Sequence, residues 1–219
     1  MDARNEGRVY VRRRGRSTAA QERALVELAP RYVVTLPTHG RDWEDAFGRA
    51  GPLLVEIGFG MGDALAAFAS AHADWNCVGI EVYRPGIGAL MLACEREGLA
   101  NVCIVEAEAM TVLRRHAAAS MDRIHAFFPD PWPKKRHHKR RLVNAEFAHE
   151  AARCLVPGGV LALATDWREY AEQMLLTFEA SPTLDGGETE RPPERPQTPF
   201  EAKGAAAGHH ITDLAYRRI

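Results

Sequence analysis

Cysteine is scarce in this chain and badly spaced for chemistry. The four cysteines, Cys77, Cys94, Cys103 and Cys154, form no CxxC pair and sit in apolar surroundings. That speaks against a metal ribbon or a disulfide framework and fits buried thiols in a reducing compartment, so no metal is expected. Long apolar runs are missing too, and no segment is expected to span a membrane. The start "MDARNEGRVYVRRRGR" is basic but has no apolar stretch behind it, so it does not read as a secretory signal. A cytoplasmic protein is the consequence. Net charge is almost nil: 28 Lys and Arg against 29 Asp and Glu leave −1. Internal repeats are absent. A chain of 219 residues fits one domain with a sizeable core.

The sum of charge hides its distribution. Positive residues gather in the first 17 positions and again in "KKRHHKRR", where six of eight residues are Lys or Arg and two are His. Two basic patches on a neutral chain can still hold a phosphate backbone. Residues 1–17 read as a flexible basic arm, and 18–219 as a single domain.

In that domain the apolar pattern becomes regular. Thr18 and Gln21 form a capping box opening a helix that Pro30 closes, and "RDWEDAFG" suits a short helix. From Pro52 onward, short apolar runs ("PLLVEIG", "NCVGIEV", "NVCIVEA", "MDRIHAFF", "VLALATD") alternate with segments of helical period. Asn144 reads as an N-cap, with Gly158–Gly159 as that helix's stop. Five alternations with short links predict an α/β fold, a mostly parallel sheet with helices on both faces. "SPTLDGGETERPPERPQTP" breaks this order and reads as an exposed, mobile loop with room for a short edge strand. The tail should then return to the sheet edge.

"VEIGFGMGDAL" places Glu56, Gly58, Gly60 and Gly62 at the first strand-to-helix junction, where open α/β sheets bind ligands. Acids follow at later strand ends: Glu81 in "VGIEV", suited to ribose hydroxyls, then Glu108 with Glu106 as its rival. A nicotinamide dinucleotide would want G-x-G-x-x-G and a helix start free of acid. Here the spacing is G-x-G-x-G and Asp63 opens the helix, so a cationic sulfonium cofactor suits the site better. Farther on, "AFFPDPWPKKRHHKRR" sets Asp130 at the mouth of a strand, beside Trp132 and against the basic run.

Taken together, "VEIGFGMGDAL", "GIEVYRPGIGAL", "FFPDPWPKKRHHKRRLV", "ATDW" and "TPFEAKG" followed by "GHHITDL" resemble the bacterial tRNA (guanine-N7-)-methyltransferase family over nearly the whole chain. The resemblance implies a Rossmann-like class I methyltransferase fold, S-adenosylmethionine as cofactor and a guanine in the tRNA variable loop as acceptor. It implies that Glu56, Glu81, Glu108 and Asp130 contact the cofactor beside the glycine turn, with Asp130 also the catalytic acid. It further implies that Lys134, Asp166, Thr198, Pro199, Phe200 and Glu201 bind substrate. RNA contact falls to Arg136, His137, His138, Lys139, Arg140 and Arg141. Pro133 stands where the family often has His, and Glu108 where it often has Asp. "DPW" is also a partial match to an amino-methyltransferase signature, and a catalytically idle RNA-binding domain would share the basic patches. The enzyme is expected to be a monomer or homodimer.

Overall fold

A computed structural model describes residues 17–35, 42–193, 195–206, 208 and 210–219. The expected arm over residues 1–17 lies, but for its last residue, outside them. Strands β1 (Leu53–Ile57), β2 (Asn76–Glu81), β3 (Val102–Glu106), β4 (Met121–Phe127), β5 (Leu155–Thr165), β6 (Leu184–Thr189) and β7 (Thr212–Arg218) form one sheet. Its order is β3-β2-β1-β4-β5-β7-β6. The strands β1 to β5 pair in parallel, and β7 runs antiparallel to both β5 and β6. Strand order reverses between β1 and β4, so the crevice for a ligand opens above the carboxyl ends of these two strands.

Alternate residues of each strand face opposite layers, and the core divides accordingly. Leu53, Val55, Ile57, Ile124 and Leu163 join α6 (Ala109–Arg115), α7 (Ala145–Cys154) and α8 (Arg168–Glu179) in one cluster. Leu54, Cys77 and Ile104 join α1 (Ala19–Glu27), α2 (Ala29–Tyr32), α4 (Asp63–Ala71) and α5 (Arg84–Glu97) on the other face. The short helix α3 (Asp42–Phe47) covers the first cluster through Trp43. All four cysteines are buried and unbridged, and burial pushes the Cys77 thiol up to about 12.

Local signals in the sequence have visible physical counterparts. Thr18 and Gln21 make the reciprocal capping box, and Asn144 accepts from the Phe147 amide at the start of α7. Gly98 ends α5 with a left-handed φ of 67°. Four expectations need correction. Pro30 sits in the first turn of α2, where its missing N–H costs no helical bond, so it starts a helix as well as following one. Gly158–Gly159 do not stop α7: β5 begins at Leu155, and the glycines lie where its register to β4 shifts. The tail strand β7 is interior, with β6 outside it as the edge. The Pro-rich tract is not uniformly exposed, because Arg195 is buried, and a helix α9 (Pro199–Ala206) follows it.

One buried polar side chain fixes α4 from behind the crevice. Asn101 donates its amide nitrogen to the carbonyls of Ala69, His72 and Trp75, at 3.0, 3.1 and 3.1 Å. Ala69 lies in the last turn of α4, and His72 and Trp75 follow it, so one amide ties the helix's end to the turn leading into β2. Asn101→Ala should lower stability by about 1–3 kcal/mol, because three hydrogen bonds of a buried side chain are lost at once. Thermal unfolding should then shift down by roughly 3–10 °C. An unchanged midpoint would show that the anchor carries no weight.

Candidate active site

The crevice starts with the glycine turn between β1 and α4. Gly58, Gly60 and Gly62 have φ of 68°, 59° and 87°, a left-handed conformation that strains any residue with a Cβ. The start of α5 presses on this turn: a Cβ at Gly86 would lie 1.8 Å from the Gly60 carbonyl oxygen. Glu81, at the end of β2, ties the two together. Its carboxylate accepts from the amides of Gly60 at 3.0 Å, Val82 at 2.6 Å and Tyr83 at 2.9 Å.

Glu56 lies one position before the end of β1, in register with Gly79 of β2 and His125 of β4. It is 2% exposed, and its Oε2 has no hydrogen-bond partner among the described residues. The Nδ1 of His125 is 4.0 Å away, and His125 itself packs between the rings of Phe68 and Phe127. Burial first, then the charges of Asp63 and Glu81, push the Glu56 carboxyl up to about 8. An acid held neutral by burial, and further by two neighbouring acids, is a site that a cation would relieve. Orphaned Glu56, anionic Asp63 and Glu81, and a turn open to close backbone approach therefore fit a positively charged cofactor. They fit a pyrophosphate poorly.

Glu108 and its rival Glu106 occupy different places. Glu108 caps α6, accepting from the amides of Met110 and Thr111 at 3.0 and 2.8 Å and from the Thr111 hydroxyl at 2.9 Å. Glu106 ends β3 in register with Glu81 and lies 3.8 Å from Arg84.

Asp130 follows β4 in a bent loop. Phe128 and Trp132, on either side of it, both have positive φ, 52° and 45°. Phe128 continues the strand pairing by donating its amide to Ala164 at 2.7 Å. The Trp132 ring is engaged within the protein: the Arg140 guanidinium lies 5.0 Å above it and the His137 ring meets it edge-on at 5.8 Å. Lys134 precedes a 3₁₀ helix, Lys135–Arg140, which carries most of the basic run. Lys134, Lys135, Arg136 and Lys139 are exposed, and His137, His138 and Arg140 are partly so. Burial and the charges of Arg140, Arg136 and Lys134 hold the His137 imidazolium below its usual range, leaving it neutral at neutral pH.

Arg141 stands apart from the rest of the run. It is 1% exposed and donates to the Pro131 carbonyl at 2.8 Å and to Gln173 at 2.6 Å. Its guanidinium also lies over the Tyr170 ring and near Glu169. It holds the loop from inside and offers no free face to a phosphate. Asp166 stands at the end of β5 in a tight turn closed by the Trp167 amide bonding to Thr165 Oγ1 at 3.2 Å. Thr198 caps α9 through the Glu201 amide at 3.2 Å, and the Glu201 carboxylate is buried against Arg195 and Arg191. The side chains of Pro199 and Phe200 lie outside the described residues. Sequence reasoning overlooked His125 and Arg195, since neither sits in a motif and Arg195 lies in a tract whose composition signals exposure.

The chain is similar to known methyltransferases. A family model described as "Putative methyltransferase" matches residues 50–214. The tRNA (guanine-N(7)-)-methyltransferase of Alkalilimnicola ehrlichii is 47% identical, over 96% of this chain and 92% of its own length. That of Halorhodospira halophila is 45% identical, over 99% and 97%. Among solved structures, the 16S rRNA (adenine(1408)-N(1))-methyltransferase from Catenulisporales acidiphilia superposes with a TM-score of 0.56 at 19% identity, covering 81% of this chain and 92% of that one. An aminoglycoside resistance methyltransferase gives 0.55 at 16% identity, covering 80% and 91%. Such low identities speak for the fold, which is that of the Rossmann-like class I methyltransferases.

The Glu56 carboxyl supplies a pH test. Its folded value, about 8, lies above the ordinary value of 4.5. The unfolded chain therefore loses this proton first, and stability falls as pH rises from about 4.5 to 8. Glu56→Gln should remove that falling limb. Its unfolding midpoint should gain on wild type between pH 5 and pH 8. A difference independent of pH would show that Glu56 is ionised throughout.

Proposed function

We infer the function of this chain from its kinship: it belongs to the tRNA (guanine-N(7)-)-methyltransferase family. It is an enzyme that uses S-adenosylmethionine to methylate N7 of a guanine in tRNA, giving 7-methylguanosine. The observation that carries the site reading is an adjacency. Within residues 128–141, Asp130 stands five positions before the start of the cationic helix Lys135–Arg140.

When bound, S-adenosylmethionine supplies an electrophilic methyl on a sulfonium. Glu81 would hold the ribose side of that cofactor beside the glycine turn, Asp63 would lend negative charge to the same pocket, and Glu56 would add its own once the cation favours its ionised form. Glu108, already engaged as a helix cap, shapes the adenine end through the backbone it fixes. Guanine N7 has a lone pair and no proton, so the protein need supply no general base to expose it. It must align N7 and exclude misplaced geometries, which is where most of the rate gain lies. Positive charge appears on the purine, and the Asp130 carboxylate stabilises it there. The same carboxylate accepts hydrogen bonds from guanine N1–H and the 2-amino group, which adenine lacks. Asp166, at the next strand end, and Thr198 complete the acceptor side.

Lys134, Lys135, Arg136, Lys139 and Arg140 grip tRNA phosphates, with affinity that falls steeply with salt. Arg141 belongs to the loop instead. The N-terminal basic residues are a second clamp. Among the described residues no helix is long and apolar enough to cross a membrane, and no cluster of His, Cys, Asp or Glu could hold a metal ion. A cytoplasmic monomer or homodimer is the working assembly.

Incubation with labelled S-adenosylmethionine and unmodified tRNA, followed by nucleoside analysis, should give 7-methylguanosine in the variable loop. A methylated adenine or cytosine amine in its place would favour an amino-methyltransferase. Asp130→Ala should cut turnover by about 10²-fold or more, the scale of losing one charge-stabilising group. Turnover equal to wild type would remove Asp130 from the chemistry. Neutralising Arg136, Lys139 and Arg140 should raise the tRNA KM and flatten its salt dependence while leaving cofactor affinity in place. Equal damage to both would point to misfolding.

A further inference from the structure

We propose that Arg195 is the positioning residue of the acceptor half of this site, and that Glu201 acts through it instead of touching the substrate. The proposal deepens the methyltransferase reading above and rests on it for the identity of the acceptor.

The geometry begins with a row across the sheet. Phe127 of β4 is in register with Ala164 of β5, and Ala164 with Asp213 of β7. Paired residues share a face, so a methyl group lies between an aromatic ring and a carboxylate. The Arg195 guanidinium packs along this row, bonded to Asp213 at one end and 5.5 Å from each of the Phe127 and Phe128 ring centroids. The smallness of Ala164 leaves room for it.

Its hydrogen bonds then reach in two directions. Nε and Nη2 donate to the two Asp213 oxygens at 2.7 and 2.9 Å. Nη1 and Nη2 donate to the two Glu201 oxygens at 2.8 and 3.2 Å. Arg191 adds a further contact to Glu201, so two cations face two carboxylates. Arg195, Glu201 and Asp213 are 3%, 0% and 6% exposed. A carboxylate so enclosed, with both oxygens taken, has no face left for a nucleobase.

What Glu201 does reach is Thr198. The Glu201 amide donates to Thr198 Oγ1, and the Thr198 carbonyl accepts from the Ala202 amide. Fixing Glu201 therefore fixes the first turn of α9 and the Thr198 position with it. The other side of Arg195 covers Phe128, the strained residue two positions before Asp130. One guanidinium thus joins the Asp130 loop to the Thr198 segment. Arginine is required because only a planar fork serves two carboxylates edge-on while its face lies on aromatic rings. Lysine keeps the charge and loses this geometry.

A double-mutant cycle on the full chain tests the idea, with Arg195→Lys, Glu201→Gln and the double variant. Methyl transfer to tRNA gives kcat and KM, and calorimetry without RNA gives the S-adenosylmethionine Kd. Each single variant should lower kcat/KM for tRNA by about tenfold or more, with the cofactor Kd within about threefold of wild type. The double variant should be no worse than the more damaged single. Multiplying losses would mean that Glu201 meets the substrate independently and would overturn the proposal. So would full activity in Arg195→Lys. Hydrogen exchange gives a readout free of activity: in Arg195→Lys the amides of residues 128–132 and 198–206 should speed up together, while those of 58–62 stay unchanged. Protection retained in either segment would also refute the link. A wild-type enzyme that methylates no tRNA would sink the family reading, and the exchange result would still decide the role of Arg195.

Discussion

The bond from the Arg141 guanidinium to the Pro131 carbonyl is the constraint on which this site turns. The Asp130 loop contains two residues, Phe128 and Trp132, in a backbone region that side chains resist. Each costs about 1–3 kcal/mol. Buried hydrogen bonds from a charged donor contribute about 1.5–3 kcal/mol each. Arg141 makes such bonds to Pro131 and Gln173 and approaches His138 and Glu169. The two sums are of the same size, so the buried guanidinium offsets the strain of the bend. The α8 side chains that receive it also hold the next residues: Tyr170 accepts from the Val143 amide and Gln173 donates to its carbonyl. Strain at the carboxylate and packing of α8 are therefore one mechanical unit.

Charges of opposite sign are grouped apart around this loop. At the glycine turn Glu56 is buried, with Glu81 half-buried and Asp63 exposed beside it, and the charges of these two raise the cost of ionising Glu56. Cations lie outside, on a 3₁₀ helix too short to have a buried face of its own. The buried Glu56 carboxyl stays protonated until a cation arrives, while an outward cationic cluster is solvated and waits for a polyanion. The two potentials would cancel if mixed. They are kept apart by the stiff "PDPWP" bend, in which Trp132 carries Arg140 on one face and meets His137 at its edge. The transfer reaction moves positive charge from the inner pocket to the acceptor, and Asp130 stands at the boundary between the two regions.

Much of this was legible in residues taken singly or in short strings. Alternating apolar runs gave the parallel strands, because burial on both faces leaves so few polar positions in them. Thr18, Asn144 and Gly98 announced their helix ends, because capping is local chemistry. What stayed hidden is non-local. Nothing in "DLAYRR" says that β7 inserts between β5 and β6. Arg141 is indistinguishable from Arg140 by composition, yet one is a loop pin and the other lies over Trp132. Glu108 reads as a ligand-facing acid and proves to be a helix cap as well. Arg195 lies in a Pro- and Glu-rich tract, and only the row Phe127–Ala164–Asp213, which crosses three strands, explains its burial.

Arg141 and Arg195 solve the same problem from opposite sides. The backbone between residues 127 and 131 must be held in a shape it would not choose. Arg141 takes the carbonyl at its far end, over Tyr170. Arg195 takes the rings at its near end, anchored by Asp213 and Glu201. In both cases the edge of the guanidinium is spent on hydrogen bonds and its face on an aromatic ring, a division that an ammonium group cannot make. Each arginine also belongs to a different element of the fold, one held against α8 and the other bonded to α9 and β7. The Asp130 carboxylate is thus located by the sheet and by two independently packed layers at once. Loosening either one leaves the other unable to fix the bend, since a strained backbone relaxes toward whichever side is released.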